Sequence, residues 1–234
     1  MQSVLCPSSL SRVTGNVSLA GMRANVYVDG FNLYYGTMKG KGPGLKWLDL
    51  DALCTKHLIP SNPVHRIRYF TARISARPGD LDAPVRQETY LRALATVPHL
   101  SIHLGHFQQT KVRMPLVQPR SGGQKTAKVY KTEEKGSDVN LATHLLLDVF
   151  KKDCDLAVVI SNDSDLEAPI RVVMQDLGVP VGLLNPHPAY SRSRDLLNLG
   201  PVFFKQIREN AVRNSQFPTQ LTDANGTFRH PANW

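Results

Sequence analysis

Four aspartates stand where the strands and helices of an alternating chain would begin or end: Asp29, Asp138, Asp163 and Asp165. Asp29 follows the β-forming run Ala24-Asn25-Val26-Tyr27-Val28, and Asp163 and Asp165 follow the apolar run Leu156 to Ile160. Asp138 opens a segment whose apolar residues recur at helical spacing. Carboxylates gathered at one place repel one another and resist desolvation, and a hard cation relieves both penalties. An oxygen-only ligand set suits Mg²⁺ or Mn²⁺. Such a centre could hold a scissile phosphate, draw hydroxide from water and stabilise the leaving oxygen. Duller roles are open to each residue as well: turn chemistry for Asp29-Gly30, a helix N-cap for Asp138, and a capping loop for Ser161 to Asp165.

The elements that must carry these residues can be read from periodicity. Ala24 to Val28 is a buried strand closed by a turn at Asp29-Gly30, and the Gly-rich stretch Lys39 to Gly44 is a loop. Trp47 to Leu58 reads as a helix, His65 to Ile74 as a strand, Asp82 to Val97 as a helix and Ser101 to Phe107 as a third strand. Order resumes with a helix over Asp138 to Lys152, the strand Leu156 to Ile160, a helix over Leu166 to Leu177 stopped by Gly178, and the strand Val179 to Leu184. Strands apolar on both faces and alternating with helices predict an α/β, doubly wound, mainly parallel sheet with helices on both faces. In such a sheet the ends of strands flanking the point where strand order reverses form the functional crevice. If the strands before Asp29 and Asp163 are neighbours there, their carboxylates converge, and Asp138 can join them.

Residues 108–132 break the rhythm and read as a loop or β-ribbon insertion. Their cations are Lys111, Arg113, Arg120, Lys125, Lys128 and Lys131, with no acidic residue before Glu133. That asymmetry makes the segment, with Lys135 just beyond it, the candidate nucleic-acid contact. Residues 1–21 read as a flexible N-terminal extension, with Met22 as the natural start and no apolar core of a secretory signal. Residues 22–205 form the domain. Beyond Gln206 the pattern weakens, and residues 206–234 read as a C-terminal extension, with Ser215 to Trp234 an extended tail.

Bulk properties agree with a folded domain and a polyanionic partner. The 234 residues carry a formal charge of +9, and 41% of them are hydrophobic. Basic excess favours phosphate contacts through counterion release. No apolar run approaches the roughly 18–20 residues that cross a bilayer. Cys6, Cys54 and Cys154 form neither a disulfide framework nor a zinc pattern, which suits the cytoplasm. Other α/β chemistries lack their residues: Phe31 stands where an aspartyl phosphatase needs a second Asp, and neither a Gly-x-Gly-x-x-Gly turn, a Walker A loop nor a Gly-x-Ser-x-Gly elbow is present. His103 and His106 point to opposite faces of a strand and read as structural.

Three motifs, in this order, carry a family resemblance: Val26-Tyr27-Val28-Asp29-Gly30-Phe31-Asn32-Leu33-Tyr34, Lys135-Gly136-Ser137-Asp138-Val139-Asn140-Leu141 and Ser161-Asn162-Asp163-Ser164-Asp165-Leu166. Together they resemble the NYN domain (LabA-like) family of the PIN-like nucleases over roughly Arg23 to Phe204. The resemblance implies a Rossmannoid sheet with an acidic pocket and Mg²⁺- or Mn²⁺-dependent RNA cleavage. It matches Asp29, Asp138, Asp163 and Asp165 to the family's acidic residues, Asn32 to the polar partner of the first Asp, and Ser161 to the hydroxyl residue opening the last motif.

The mechanism expected from these residues has Asp29, Asp163 and Asp165 holding the principal cation and Asp138 placing a second cation or the attacking water. Asn32 is expected to bond a carboxylate or phosphate oxygen, and Ser161 to orient Asp163. Products would carry a 5′-phosphate and a 3′-hydroxyl. Tyr34 and Tyr35 are candidates for stacking on bases. Two rival readings stay open: a non-catalytic RNA-binding or regulatory module, and a DNA nuclease using the same site. A homo-oligomer or an inhibitory protein partner is compatible with either.

Overall fold

The computed structural model describes residues 19–119, 122–232 and 234. Most of the expected N-terminal extension, with Cys6, and the cation Arg120 lie outside the described residues. In chain order the elements are β1 (Ala24–Asp29), α1 (Gly30–Thr37), α2 (Leu50–His57), β2 (Val64–Ala72), α3 (Ala83–Leu94), β3 (Leu100–Pro115), β4 (Thr126–Lys135), α4 (Ser137–Phe150), β5 (Leu156–Ile160), α5 (Glu167–Arg171), β6 (Val181–Asn185), α6 (Arg194–Asn198), β7 (Phe203–Gln206), α7 (Glu209–Arg213), β8 (Gln220–Asp223) and β9 (Gly226–Arg229).

The central sheet runs β4-β3-β2-β1-β5-β6-β7, with every pairing parallel except β3–β4. Strand order advances outward from β1 to β3 on one side and from β5 to β7 on the other. The reversal therefore falls between β1 and β5, where Val26 pairs Val158 and Val28 pairs Ile160. This is the doubly wound sheet expected from the strand and helix alternation.

Strand alternation divides the core into two layers. Val26, Val28, Ile67, Val158 and Ile160 face a layer that includes Leu50 and Leu53 of α2, Leu91 and Leu94 of α3, and Val212 of α7. Tyr27, Phe70, Ala157 and Val159 face the other, with Leu141, Leu145 and Val149 of α4, Ile170 of α5 and Leu196 of α6. Helices cover both faces, and every residue of β1 and β5 is buried, the polar Asn25 and Asp29 included.

Several boundaries differ from the sequence expectation. Asp29-Gly30 is no free turn: Asp29 caps α1, which starts at Gly30. Trp47 precedes α2, whose cap is Asp49, and is buried in the core. The helix expected over Leu166 to Leu177 is α5 preceded by a 3-10 turn and followed by a π-helical turn over Val172–Asp176, and Gly178 closes it with a positive φ of 69°. The third strand is far longer than Ser101 to Phe107. It continues to Pro115 and pairs with β4, so residues 108–132 are a β-ribbon.

The C-terminal extension is not an extended tail. Trp47 meets Phe217, Phe228, His230 and Trp234 at ring separations between 5.5 and 6.5 Å, and its Nε1 donates to the Pro218 carbonyl. Ile207, Val212 and Phe217 are core residues. Aromatic side chains spaced irregularly among Pro, Asn and Thr have no period to read, yet each buries a large apolar area.

Beneath α4, a buried ion pair ties helix to sheet. Arg68 of β2 grips Asp148 with two bonds of 2.6 and 2.7 Å, and the Tyr27 hydroxyl donates to the same carboxylate at 3.0 Å. His103 stacks on Phe70 and lies 4.1 Å from the His144 ring. Burial, then His144 and Arg68, push His103 down to about 4. The unfolded chain therefore binds this proton near 6.5 and the folded chain only near 4, so stability is full above about 6.5 and falls as pH drops towards 4. Thermal melts from pH 7 to pH 5 should show a smaller loss for His103→Gln than for the unaltered chain.

Candidate metal centre

Asp29 ends β1 and caps the helix that follows. Its Oδ1 accepts the Asn32 backbone N–H at 2.9 Å, and its Oδ2 accepts the Ser161 hydroxyl at 2.9 Å. Asp163 follows β5 and caps its own turn by accepting the Asp165 N–H at 3.0 Å. Asp138 lies in the first turn of α4. Gly136, at φ +99°, occupies the N-cap position that the sequence offered to Asp138. The capping readings of Asp29 and Asp163 thus hold together with a shared location, because a capping aspartate after a strand is held at the sheet's C-terminal edge.

Asp29, Asp138 and Asp163 each present a carboxylate oxygen within 4.8 Å of the others. Oxygens bound to one cation at roughly 2.0–2.6 Å lie no more than about 5 Å apart. The donor set is all oxygen, so it fits a hard divalent ion. Asp165 is exposed and stands outside this trio, although its charge still reaches Asp138. Membership differs from the expected set: Asp138 belongs with Asp29 and Asp163, and Asp165 sits at the rim.

The electrostatics reflect burial and the crowding of carboxylates. Asp29 is 5% exposed. Burial raises it to about 6, with Asp138 and Asp163 adding to the rise and the Asn32 and Ser161 bonds opposing it. Asp138 is likewise raised, by burial first and then by Asp163, Glu134 and Asp165.

The neighbouring polar residues differ in detail from their expected roles. Ser161 bridges two carboxylate residues, donating to Asp29 and accepting the Asp163 backbone N–H at 3.1 Å. The Asn32 backbone N–H, rather than its side chain, meets the Asp29 carboxylate; the Asn32 Oδ1 accepts the Asn162 N–H at 2.9 Å, locking the start of α1 to the loop after β5. Asn162 in turn holds Ser191 and Ser193. Glu134 was not singled out by sequence reading. Its Oε1 accepts from both the Ser137 N–H and hydroxyl, so it holds the start of α4 and hence Asp138. An acidic residue three positions before a Ser at a helix start was the available signal.

The ribbon separates the expected cations. Cross-strand partners share a face: Lys111 faces Tyr130 and Arg113 faces Lys128, whereas Thr110 faces Lys131 and Val112 faces Val129. Lys111, Arg113, Lys128 and Tyr130 therefore form one exposed face, with Lys111 5.4 Å from the Tyr130 ring centre. Lys131 lies on the opposite face, and both it and Lys135 pair with Glu133. Lys125 lies at the exposed tip. Of the two stacking candidates, Tyr34 packs on the core and Tyr35 is 49% exposed.

Beside the carboxylates, α1, the end of β2 and α3 line a cleft of about 220 Å³, with Trp234 among its walls. Among the described residues no helix is long and apolar enough to cross a membrane.

The NYN domain family model matches residues 23–205. A curated relative, 6-hydroxy-3-succinoylpyridine 3-monooxygenase HspA of Pseudomonas putida, is 29% identical over 239 aligned positions, covering 91% of this chain and 75% of the relative. A crystal structure of a Vibrio parahaemolyticus protein of unknown function superposes with a TM-score of 0.53 at 17% identity, covering 82% of this chain and 97% of the other, and shares the fold.

Proposed function

The chain belongs to the NYN domain family of PIN-like nucleases, and from that premise we propose that it is a divalent-cation-dependent ribonuclease hydrolysing phosphodiester bonds at Asp29, Asp138 and Asp163. The observation that carries the reading is the convergence of these carboxylates at the reversal of strand order. Mg²⁺ or Mn²⁺, when bound, supplies Lewis-acid polarisation of the phosphoryl group and a lowered pKa for water. Asp29, Asp138 and Asp163 would hold the ion, and Asp165 at the rim would take a second ion or orient the incoming water. Ser161 fixes Asp29 and Asp163 relative to each other, and Asn32 fixes the two loops that carry them. Hydrolysis from this edge leaves a 5′-phosphate and a 3′-hydroxyl.

The direct test is cleavage of labelled single-stranded RNA and matched DNA with Mg²⁺, Mn²⁺ or EDTA, with end-group analysis of the products. Cation-dependent cleavage that favours RNA is the expected result. A 2′,3′-cyclic phosphate end, or tight binding without turnover in every cation, would overturn the hydrolytic mechanism.

The strand's backbone is proposed to lie on the exposed ribbon face. Replacing Lys111, Arg113 and Lys128 together with Gln should weaken RNA binding and lower the logarithmic salt slope by about 2, at about 0.7 per lost contact on a single strand. Lys131→Gln, whose charge Glu133 already meets, should leave the slope unchanged. Filter binding across salt concentrations compares the two.

A second reading is favoured by one observation. The Pseudomonas putida relative is named for oxygenating a pyridine, and the cleft beside the carboxylates has the size of a ring. Oxygenation would place one oxygen atom of O₂ on the ring and reduce the other to water with two electrons from a donor such as a reduced nicotinamide. Oxygen uptake that requires both a hydroxypyridine acid and the donor would establish it.

A further inference from the structure

We propose that the cleft beside the acidic cluster is a binding site for a planar heteroaromatic ring carrying an anionic tail, with Arg86 as the partner of the tail. This rests on neither functional reading, since it concerns binding in the absence of turnover.

The cleft's walls come from elements already fixed by other needs. Phe31, Tyr34 and Tyr35 lie on α1, Tyr69 on β2 and Tyr90 on α3, and Trp234 also lines the cleft. Tyr69 and Tyr90 meet edge to face at 90°, and Tyr90 meets Trp234 at 67°. Aromatic walls set at steep angles offer a ring both a face and edges to pack on. An apolar cavity of about 150 Å³ admits benzene, so about 220 Å³ admits a ring with a short substituent.

The charge on this cleft selects the substituent. Lys39, Lys46, Arg77 and Arg86 line it, against the single carboxylate of Asp80. Arg86 gives its Nη2 to Asp80 at 2.5 Å, but its Nε is buried and has no hydrogen-bond partner. A buried donor left unpaired costs stability that a ligand acceptor would return. Gln87 accepts the Ile74 N–H and donates to the Ala72 carbonyl, and it makes no bond to that donor. An anionic acceptor, carboxylate or phosphate, is the group that completes Arg86.

Placement adjoins the site's chemistry. The cleft is lined by Gly30, which directly follows Asp29, and by Thr71, which follows the strand partner of Asp29. A Cβ on Gly30 would stand 2.7 Å from the Tyr69 ring and 2.7 Å from the Phe70 carbonyl oxygen. Glycine is therefore what lets the carboxylate-bearing edge and the aromatic wall approach so closely. A ring in the cleft would sit next to the carboxylates.

Two sources present this chemistry: a nucleotide of a nucleic-acid strand, and a free heteroaromatic acid. Calorimetric titration of the full chain in EDTA should use 5′-nucleoside monophosphates, 6-hydroxynicotinate, and the uncharged nucleosides and hydroxypyridine as controls. Saturable binding of at least one anionic ring, at least tenfold tighter than its uncharged counterpart, is the expected result. A preference for the nucleotide identifies the cleft as a base subsite; a preference for the hydroxypyridine acid identifies a small-molecule site. Arg86→Gln and Tyr35→Ala should each weaken binding about tenfold, and Tyr35→Ala alters an exposed residue that folding does not need. No saturable binding of either anionic ring, or binding that both variants leave intact, would overturn the proposal.

Discussion

Asp29→Asn is expected to lower RNA cleavage by at least about 10²-fold while making the cation-free protein more stable. The two effects have one cause. Asp29 is a buried carboxylate next to Asp138 and Asp163, and it is raised from 3.8 to about 6. The folded chain therefore holds this proton more tightly than the unfolded chain, so stability is full below about 4 and is lost as pH rises through about 6. At neutral pH without a cation the ionised group costs on the order of 3 kcal/mol. Asparagine keeps the cap, since its oxygen can still accept the Asn32 N–H and it is itself a good N-cap residue. The variant should melt several degrees higher in EDTA, and added Mn²⁺ should no longer raise its midpoint as it does for the parent. Parallel melts and cleavage assays separate the outcomes. A variant that still cleaves would remove Asp29 from the site. One that melts lower in EDTA would mean that the carboxylate is a net structural asset.

Asp148→Ala should be the most damaging substitution away from that cluster, costing about 3–5 kcal/mol. Arg68 and Asp148 have side chains only 12% and 5% exposed. Removing the carboxylate strands a buried guanidinium and leaves the Tyr27 hydroxyl without its acceptor. A loss of that size lowers the midpoint by roughly 10 °C in a chain of this length. The exposed Arg73–Glu88 pair, at 61% and 55%, offers the contrast: Glu88→Ala should cost less than about 1 kcal/mol. Joint replacement, Arg68→Met with Asp148→Leu, should recover most of the loss, because an apolar pair needs no desolvated charge. Urea denaturation of the parent and these three variants measures this, and an Asp148→Ala cost below about 1 kcal/mol would show that water reaches Arg68.

Local chemistry left clear marks on the sequence in some places and none in others. An aspartate directly after an apolar β-run announces a strand's end, so Asp29 and Asp163 were legible with their strands. Helical spacing from Val139 to Val149 made α4 legible too, though not its N-cap, since Gly136 competes with Asp138 only through a left-handed backbone. The ribbon was half visible, because a ribbon with two open faces need not alternate apolar and polar residues. The place where Trp234 docks, together with Phe217 and Phe228, was invisible, because their partner Trp47 lies far away in the chain.

By itself, then, the sequence determined the class of the fold, the elements that carry the carboxylates and the family of the chain, because period, capping and motif are properties of neighbouring residues. The tertiary structure alone decided that β1 and β5 are adjacent, that Asp138 rather than Asp165 completes the trio, that Glu133 already engages Lys131 and Lys135, and that an aromatic cleft stands beside the site. Parallel pairing joins strands more than a hundred residues apart, and which carboxylate faces the crevice depends on how a helix is rotated against the sheet. Those choices are fixed by burying both faces of the sheet at once, a condition that no single segment contains.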